Sequence, residues 1–193
     1  MINDLGLIDA ILPKYDFGEV HAIHVHRSPA SVLGAVKRVT PAETPWFRLL
    51  IGLRALPARL LGGSAWQFSL DRPVLEQFLD AGFSLLAEEA DRELVVGRVG
   101  QFWRMGGSPT PRIVGPEEFR AFDRRGYAKV ALNFRAEPAE GGEGTRLSTD
   151  TRIAVPDWRA RMKFGAYWCF ILPGSAVIRR EWLAAIKRRA ETA

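Results

Sequence analysis

Three histidines stand within six residues near the start of the chain, and they are its only histidines: His21, His24 and His26. Imidazole is a common ligand of Zn²⁺, and a zinc site needs neighbouring ligands on one face together with others from elsewhere in the chain. The alternation of the segment places His24 and His26 on one face of a strand and His21 on the other. No carboxylate or thiol is spaced to complete the set, so the sequence predicts solvated histidines and no metal site.

Carboxylates are the next candidates for chemistry, because a buried carboxyl group can act as a general acid or base. Glu88, Glu89 and Glu93 flank a predicted hairpin turn, and Asp150 lies on a later predicted strand. Side chains beside a turn are normally solvated, so no catalytic residue is predicted among these four. The chain also shows no Ser-His-Asp order, nucleophile elbow, phosphate-binding loop or HExxH helix.

Cys169 is the only cysteine in the chain. It lies in a strongly apolar segment, where the reactive thiolate is disfavoured, so we expect an inert core side chain and not a nucleophile. A lone cysteine cannot form an internal disulfide, and the first residues lack a basic start, a long apolar run and a small-residue cleavage site. These features together predict a cytoplasmic protein.

The composition is that of an ordinary folded protein, with 193 residues of which 47% are hydrophobic and 25% charged. We expect one domain over residues 1–193, with residues 1–14 as an N-terminal extension. The net charge is +5, but basic residues are interspersed with acidic ones, so no nucleic-acid partner is predicted. The longest uncharged run, residues 164–178, is shorter than the roughly 20 residues that cross a bilayer.

Hydrophobic periodicity predicts the elements of the first half of the chain. Residues 19–26 alternate as a strand whose Ile23 and Val25 point inward, and Ser28 and Pro29 then suit the cap and first position of a helix. The predicted elements are a strand at 19–26, a helix at 29–39, an amphipathic helix or helix pair at 46–60, and a helical turn at 73–79 within a loop at 64–82.

The second half is predicted to contain a strand hairpin at 83–103, a short element at 117–122, strands at 127–137 and 145–155, and a long C-terminal helix after residue 157. On the strand at 145–155, Leu147 and Ile153 share one face, and the opposite, charged face is expected to meet solvent. Pro173 removes a helix hydrogen bond and clashes with the preceding turn, so a kink or break is expected near Pro173-Gly174.

The order of these elements carries a resemblance to a known superfamily. The segments on which this resemblance rests are HVHRSPASVLGAV, FSLLAEEADRELVVG, GYAKVALNFRAEP, GTRLSTDTRIAV and the final helix. In this order they resemble the helix-grip superfamily, which includes START lipid-transfer domains, polyketide cyclases and the birch-pollen allergen family. The resemblance covers residues 15–190 and implies an α+β fold, in which a curved antiparallel sheet wraps around a long C-terminal helix and two short helices follow strand one.

The resemblance implies a ligand cavity between the sheet and the helix. Residues on the two facing surfaces are then expected to line it, although each of them could equally be packed core. The predicted lining residues are Trp46, Trp66, Phe102, Val130, Leu132, Phe134, Thr149, Phe164 and Trp168.

The expected function is that of a binding or carrier domain for a hydrophobic, lipid-like or aromatic small molecule, without a cofactor. The alternative is a cyclase or aromatase-type enzyme, which needs a polar side chain inside the cavity, and Arg98, Tyr127 and Lys129 are its candidates. Residues 46–63 and 164–178 are strongly apolar and flanked by basic side chains. Peripheral membrane contact, a homodimer interface and ordinary helix packing each explain these two segments.

Overall fold

The computed structural model describes residues 5–50, 52, 69–104 and 110–192. Five strands in it form one antiparallel sheet. The strands are β1 (Phe17–Val25), β2 (Ser84–Glu89), β3 (Glu93–Gly100), β4 (Ala128–Pro138) and β5 (Thr145–Ala154). Their order across the sheet is β1-β5-β4-β3-β2, so β1 and β2 are the edge strands. All four pairings are antiparallel.

The helical elements of the described residues precede, interrupt and follow the sheet. They are α1 (Leu7–Ile11), α2 (Pro29–Arg38), a 3-10 turn (Pro41–Glu43), α3 (residues 45–50), α4 (Val74–Asp80), α5 (Pro116–Ala121) and α6 (Trp158–Thr192). The start of α2 follows the sequence prediction, because the Ser28 hydroxyl accepts a hydrogen bond from the Ser31 amide and Pro29 occupies the first position.

The inner face of the sheet packs against α2 and α6 and forms two apolar clusters along α6. One surrounds Trp182, whose ring centroid lies 4.8 Å from that of Phe134 on β4. The other surrounds Phe164, 5.2 Å from Phe17 on β1. The arrangement is the predicted α+β fold, a curved antiparallel sheet against a long C-terminal helix, and it is consistent with a helix-grip fold.

Helix α6 runs without interruption from Trp158 to Thr192, with Pro173 inside it. A break at Pro173-Gly174, one of the two outcomes expected from the sequence, is therefore wrong. Packing against the sheet on both sides of Pro173 holds the helical path despite the lost hydrogen bond. No helix in the described ranges is both long and apolar enough to cross a membrane.

Helices α1 and α5 cover part of the outer face of the sheet, so the prediction that the charged side of β5 meets solvent is wrong for Asp150 and Arg152, whereas Arg146 is exposed as predicted. The side chains of Asp150 and Arg152 retain only 16% and 11% exposure. Arg152 bonds Asp150 and reaches Asp9 of α1, both at 2.8 Å. Burial raises the pKa of Asp150, although Arg152 opposes this. The predicted N-terminal extension thus contains a helix that packs on the sheet.

The predicted helix or helix pair at 46–60 falls largely outside the described residues. The predicted hairpin, the two later strands, the short element before them and the helical turn near residue 74 are confirmed. The hairpin turns at Asp91, which takes a left-handed φ of 59°. The single-domain assignment stays a prediction.

Candidate functional site

The strand register brings four polar side chains together on the inner face of the sheet. Glu19 of β1 stands opposite Thr151 of β5, and His21 stands opposite Thr149. Because residues two apart on a strand share a face, all four lie on the same side as Ile23. This is the side that packs against α6.

Helix α6 adds three polar side chains above these strands. Ser175, Arg179 and Trp182 are spaced by four and three residues, so they share one helix face. The Ser175 hydroxyl donates a hydrogen bond to Glu19. The guanidinium carbon of Arg179 lies 5.9 Å from the centre of the Trp182 ring. We call Glu19, His21, Thr149, Thr151, Ser175, Arg179 and Trp182 the inner polar cluster.

Several polar atoms of the inner polar cluster are shielded from solvent and make no hydrogen bond. Within the described part of the chain these are Thr149 Oγ1, Thr151 Oγ1, Arg179 Nε, Arg179 Nη1 and Trp182 Nε1. Buried polar atoms are normally paired, and an unpaired one costs about 1–3 kcal/mol. Five such atoms on the facing surfaces of β5 and α6 form a site whose partners the described part of the chain does not supply.

Arg179 is the electrostatic centre of the inner polar cluster. Burial lowers its pKa to about 10, and the carboxylate of Glu19 opposes this shift. No ion pair joins the two side chains in the described structure. Among the described residues, the guanidinium is therefore a largely shielded cation without a bonded counter-ion.

Glu19 and His21 form the part of the cluster nearest an edge of the sheet. His21 Nε2 lies 3.2 Å from Glu19 Oε2, and the two side chains are 13% and 6% exposed. Because β1 is an edge strand and Arg179 and Ser175 are half-buried, the cluster reaches solvent between β1 and α6. A ligand could enter along this edge.

The α6 side chains of the inner polar cluster lie where the two apolar clusters adjoin: Ser175 stands between them, and Arg179 and Trp182 follow Ile178. Along α6 the Phe164 cluster extends to Trp168 and its partly buried neighbour Ile171, and the Trp182 cluster begins at Ile178. A polar site bounded by apolar walls can hold a molecule that is apolar over most of its surface and polar at one group.

Five of the nine predicted lining residues are buried on the facing surfaces. They are Leu132, Phe134, Thr149, Phe164 and Trp168. Val130 and Phe102 are half-buried, and the Phe102 ring lies 6.5 Å from that of Phe164. Trp46 is 57% exposed beside α6, and Trp66 lies outside the described residues. Thr149 alone belongs to the inner polar cluster, and a ligand-binding role for the nine stays a prediction.

Of the residues considered for acid-base chemistry, Glu93 differs most from its predicted environment. It is fully buried and not solvated, because α1 covers it. Its carboxylate accepts hydrogen bonds from the Leu7 and Ile8 amides at 2.7 and 3.2 Å and from Asn133 at 2.7 Å. Glu93 therefore anchors the start of α1, whereas Glu88 and Glu89 are exposed as predicted.

The three residues proposed for the enzyme alternative lie on opposite faces of the sheet. Arg98 pairs with Val130 on the inner face, and its guanidinium carbon lies 5.9 Å from the Phe102 ring. Lys129 points to the outer face, where its ammonium donates to the Arg120 carbonyl at 3.0 Å. Burial lowers the pKa of Lys129, with Asp123 opposing. Tyr127 packs against Phe122 on the same outer side, so only Arg98 is placed to meet a ligand.

The predicted environment of Cys169 is wrong, because this thiol is exposed. The sheet covers only one side of α6, and the apolar residues of its N-terminal half also point outward. Trp158, Met162 and Phe170 are 62%, 69% and 85% exposed. Membrane contact and a homodimer interface both stay predictions for this surface.

The remaining histidines do not assemble a metal site within the described ranges, where no three potential ligands come together. His24 Nε2 lies 2.8 Å from the Glu143 carbonyl, and the His24 and His26 rings meet edge to face at 4.6 Å. Two surface concavities, of about 160 and 500 Å³, lie beside α2 and beside the turn between β4 and β5. Neither is lined by a predicted ligand residue or by the inner polar cluster.

The sequence reasoning missed most of the inner polar cluster. Glu19 and His21 alternate with the inward Ile23, and Thr151 alternates with Ile153, so both strands carried a signal. Arg179 could have been found from its spacing to Ser175 and Trp182 on one helix face. Of the residues in the cluster only Thr149 was predicted, because charged and aromatic polar side chains on such positions normally face solvent or pack in the core.

Comparison with known proteins adds little to this geometry. No protein-family model and no curated protein matches the chain. Solved structures do match, and one is an uncharacterized protein from Rhizobium leguminosarum. It is 14% identical, with 92% of this chain and 95% of that chain covered and a TM-score of 0.40. Membership of the helix-grip superfamily therefore stays a prediction.

Proposed function

We propose that the chain is a binding or carrier domain for a hydrophobic small molecule, held between the inner face of the sheet and α6. The observation that carries this proposal is the set of five shielded polar atoms without partners on β5 and α6, flanked by apolar side chains of both clusters. A ligand that supplies those partners recovers free energy that the free protein lacks. The apolar walls then supply most of the affinity, and the inner polar cluster orients the molecule.

The resemblance of the sequence to helix-grip proteins supports the same proposal, because START lipid-transfer domains of that superfamily hold apolar ligands between sheet and helix. The buried positions of Leu132, Phe134, Phe164 and Trp168 provide apolar surface on both sides. We place the ligand against these residues and its polar group against Arg179.

A cyclase or aromatase-type enzyme is the second candidate, and the His21–Glu19 pair favours it. A carboxylate 3.2 Å from an imidazole can fix the tautomer and orientation of a general base. Arg98, on the same face, would polarise a substrate carbonyl. The reaction would be proton transfer on a polyketide-like or aromatic substrate.

Native mass spectrometry of protein purified without denaturation, followed by organic extraction, tests the binding proposal. We expect a non-covalent adduct of ligand size that the extract reproduces, or saturable uptake of the neutral fluorophore 1-aminoanthracene by ligand-free protein. Solvent-sized occupancy together with no uptake of the fluorophore would contradict the proposal.

The enzyme alternative is tested by incubating the extracted molecule, or a set of aromatic polyketide-like ketones, with the protein and following its mass and chromatographic retention. The alternative predicts a new product that His21→Gln abolishes while 1-aminoanthracene uptake persists. Unchanged compounds with wild-type protein leave the carrier function as the better account.

A further inference from the structure

The guanidinium of Arg179 is the feature of the inner polar cluster that specifies a ligand class. Its Nε and Nη1 atoms are shielded from solvent, and the described part of the chain places no acceptor within hydrogen-bonding distance of them. An unpaired buried cation is costly, because it loses hydration without gaining a counter-ion. Arg179 thus has bonding capacity at Nε and Nη1 that no described residue satisfies.

Glu19 is the nearest candidate for an internal counter-ion, but its oxygens have other partners. One accepts the hydrogen bond of the Ser175 hydroxyl, and the other lies beside His21 Nε2. Glu19 acts on Arg179 through its field alone, and this does not restore the normal pKa of the guanidinium. The site therefore keeps a positive centre next to a carboxylate that is already bonded.

The unpaired atoms around Arg179 are donors or can act as donors. Guanidinium and indole nitrogens cannot accept hydrogen bonds, and a threonine hydroxyl can always donate one. Arg179, Trp182, Thr149 and Thr151 therefore call for a group rich in acceptors. An alcohol or amine would leave several of these donors unsatisfied, whereas an oxyanion has about four lone-pair sites.

The charge and the surroundings of the cluster restrict the kind of oxyanion that fits it. Within the described residues the cluster contains one arginine, no lysine and the carboxylate of Glu19, which suits a monoanion better than a phosphate dianion. The flanking apolar clusters suit an apolar body next to that charge.

We propose that the inner polar cluster binds the carboxylate of an apolar carboxylic acid, with Arg179 as its anchoring cation. This inference rests on the proposed function, because it names the class of molecule held at the same site. The carboxylate accepts from the Arg179 guanidinium, from the Trp182 indole and from the threonine hydroxyls. A fatty acid and an aromatic acid share this chemistry and differ only in the apolar body.

Competition against bound 1-aminoanthracene, a neutral fluorophore, tests the inference at pH 7.5. The competitors are two matched pairs, decanoate with decanol and 2-naphthoate with 2-acetonaphthone, so that each pair shares an apolar body and differs in the polar group. We expect the acid to compete about 10- to 100-fold better than its neutral partner in at least one pair, which is the usual worth of a charge-assisted hydrogen bond. The pair that shows the larger ratio distinguishes a fatty from an aromatic acid.

The variant Arg179→Met should reduce that ratio to within about 3-fold, and if it does not take up 1-aminoanthracene the four compounds are compared by direct calorimetric titration. Arg180→Met is the matched control, because Arg180 is the next residue of α6 and is exposed. It should keep the wild-type ratio.

The two proposals fail in different ways in this experiment. If acid and neutral compounds compete equally in both pairs, or if Arg179→Met keeps the acid preference, the carboxylate inference is overturned and the binding function stands. If wild-type protein takes up neither 1-aminoanthracene nor any of the four compounds, the binding function is overturned, and the inference with it.

Discussion

Ser175 of α6 donates its hydroxyl hydrogen to Glu19 of β1, which ties the long helix to an edge strand 156 residues away in sequence. The contact lies one half-turn beyond Pro173, where the proline has removed a backbone hydrogen bond from α6. It also fixes the carboxylate that lies beside His21. Glu19 therefore contacts one α6 side chain and one β1 side chain of the inner polar cluster.

Replacing Arg179 should make the free protein more stable. Burial lowers the pKa of Arg179 to about 10, so its charged form is disfavoured by the fold at every pH below that value. The penalty disappears only as the pH rises from that value toward the ordinary pKa of an arginine side chain. We expect Arg179→Met to raise the free energy of unfolding at pH 7 by about 1–3 kcal/mol in urea titrations, even though the contact with the Trp182 ring is lost.

Arg180→Met, at the neighbouring exposed position, should change stability by less than about 0.5 kcal/mol. A loss of stability in Arg179→Met of the size seen for core truncations would show that the guanidinium is internally paired. That result would remove the basis of the ligand site.

Threonine-to-valine substitutions should separate unpaired from paired hydroxyls. Thr149 and Thr151 are buried and their hydroxyls lack partners, so Thr149→Val and Thr151→Val should be neutral or stabilise the fold by up to about 1 kcal/mol each. Thr145 on the same strand is equally buried, but its hydroxyl donates to the Arg27 carbonyl at 2.6 Å. Thr145→Val should therefore cost about 1 kcal/mol or more. Thermal and urea unfolding rank the stabilities of the three variants. Equal losses of stability at all three positions would contradict the prediction.

Glu93 should prove essential to the attachment of α1. Glu93→Ala removes the acceptor of two amide hydrogen bonds at the start of α1 and of one from Asn133, all in a buried site. We expect a loss of about 3 kcal/mol or more, with faster amide hydrogen exchange over residues 7–11. Glu89→Ala provides the control, because Glu89 is exposed and its pair with Arg92 contributes little. Unchanged exchange in α1 would contradict the anchoring role.

The Glu43–Arg189 pair should make stability depend on acid pH. Burial alone would raise the pKa of Glu43, but hydrogen bonds from Arg189 and Thr40 lower it below 4.5 overall. Its stabilising effect is therefore complete above pH 4.5 and is lost as the pH falls further. Glu43→Gln should cost about 0.5–1 kcal/mol at pH 7, and little at pH 3.

Glu140→Gln, in the exposed turn between β4 and β5, is the control for this pH series. Urea titrations at both pH values should show almost no effect for that variant. A Glu43→Gln cost that stays the same at pH 3 would exclude the ionic contribution.

The strands and helices could be predicted from the sequence because their signals are local. The alternation around Ile23 and the Ser28-Pro29 start of α2 depend only on neighbouring residues. Glu93 shows the limit of such reasoning: it stands beside a turn, and its burial depends on α1, which lies 86 residues earlier. No local pattern predicts that covering.

The burial of the inner polar cluster could not be predicted for the same reason. A glutamate and a histidine on an edge strand normally face water, and only the position of α6 encloses Glu19 and His21. The exposed Cys169 is the converse case. An apolar sequence around a helix predicts burial on all sides, but the sheet covers only one side of α6.

The location of a bound apolar molecule tests the central claim most directly. A neutral nitroxide probe, the benzoate ester of 4-hydroxy-TEMPO, is added to ¹⁵N-labelled protein, and paramagnetic broadening of each amide is compared with the ascorbate-reduced probe. We predict the strongest broadening at residues 19–21, 149–151 and 175–182. Broadening confined to the exposed surface around Trp158, Met162 and Phe170, with none at those strands, would contradict a ligand site between the sheet and α6.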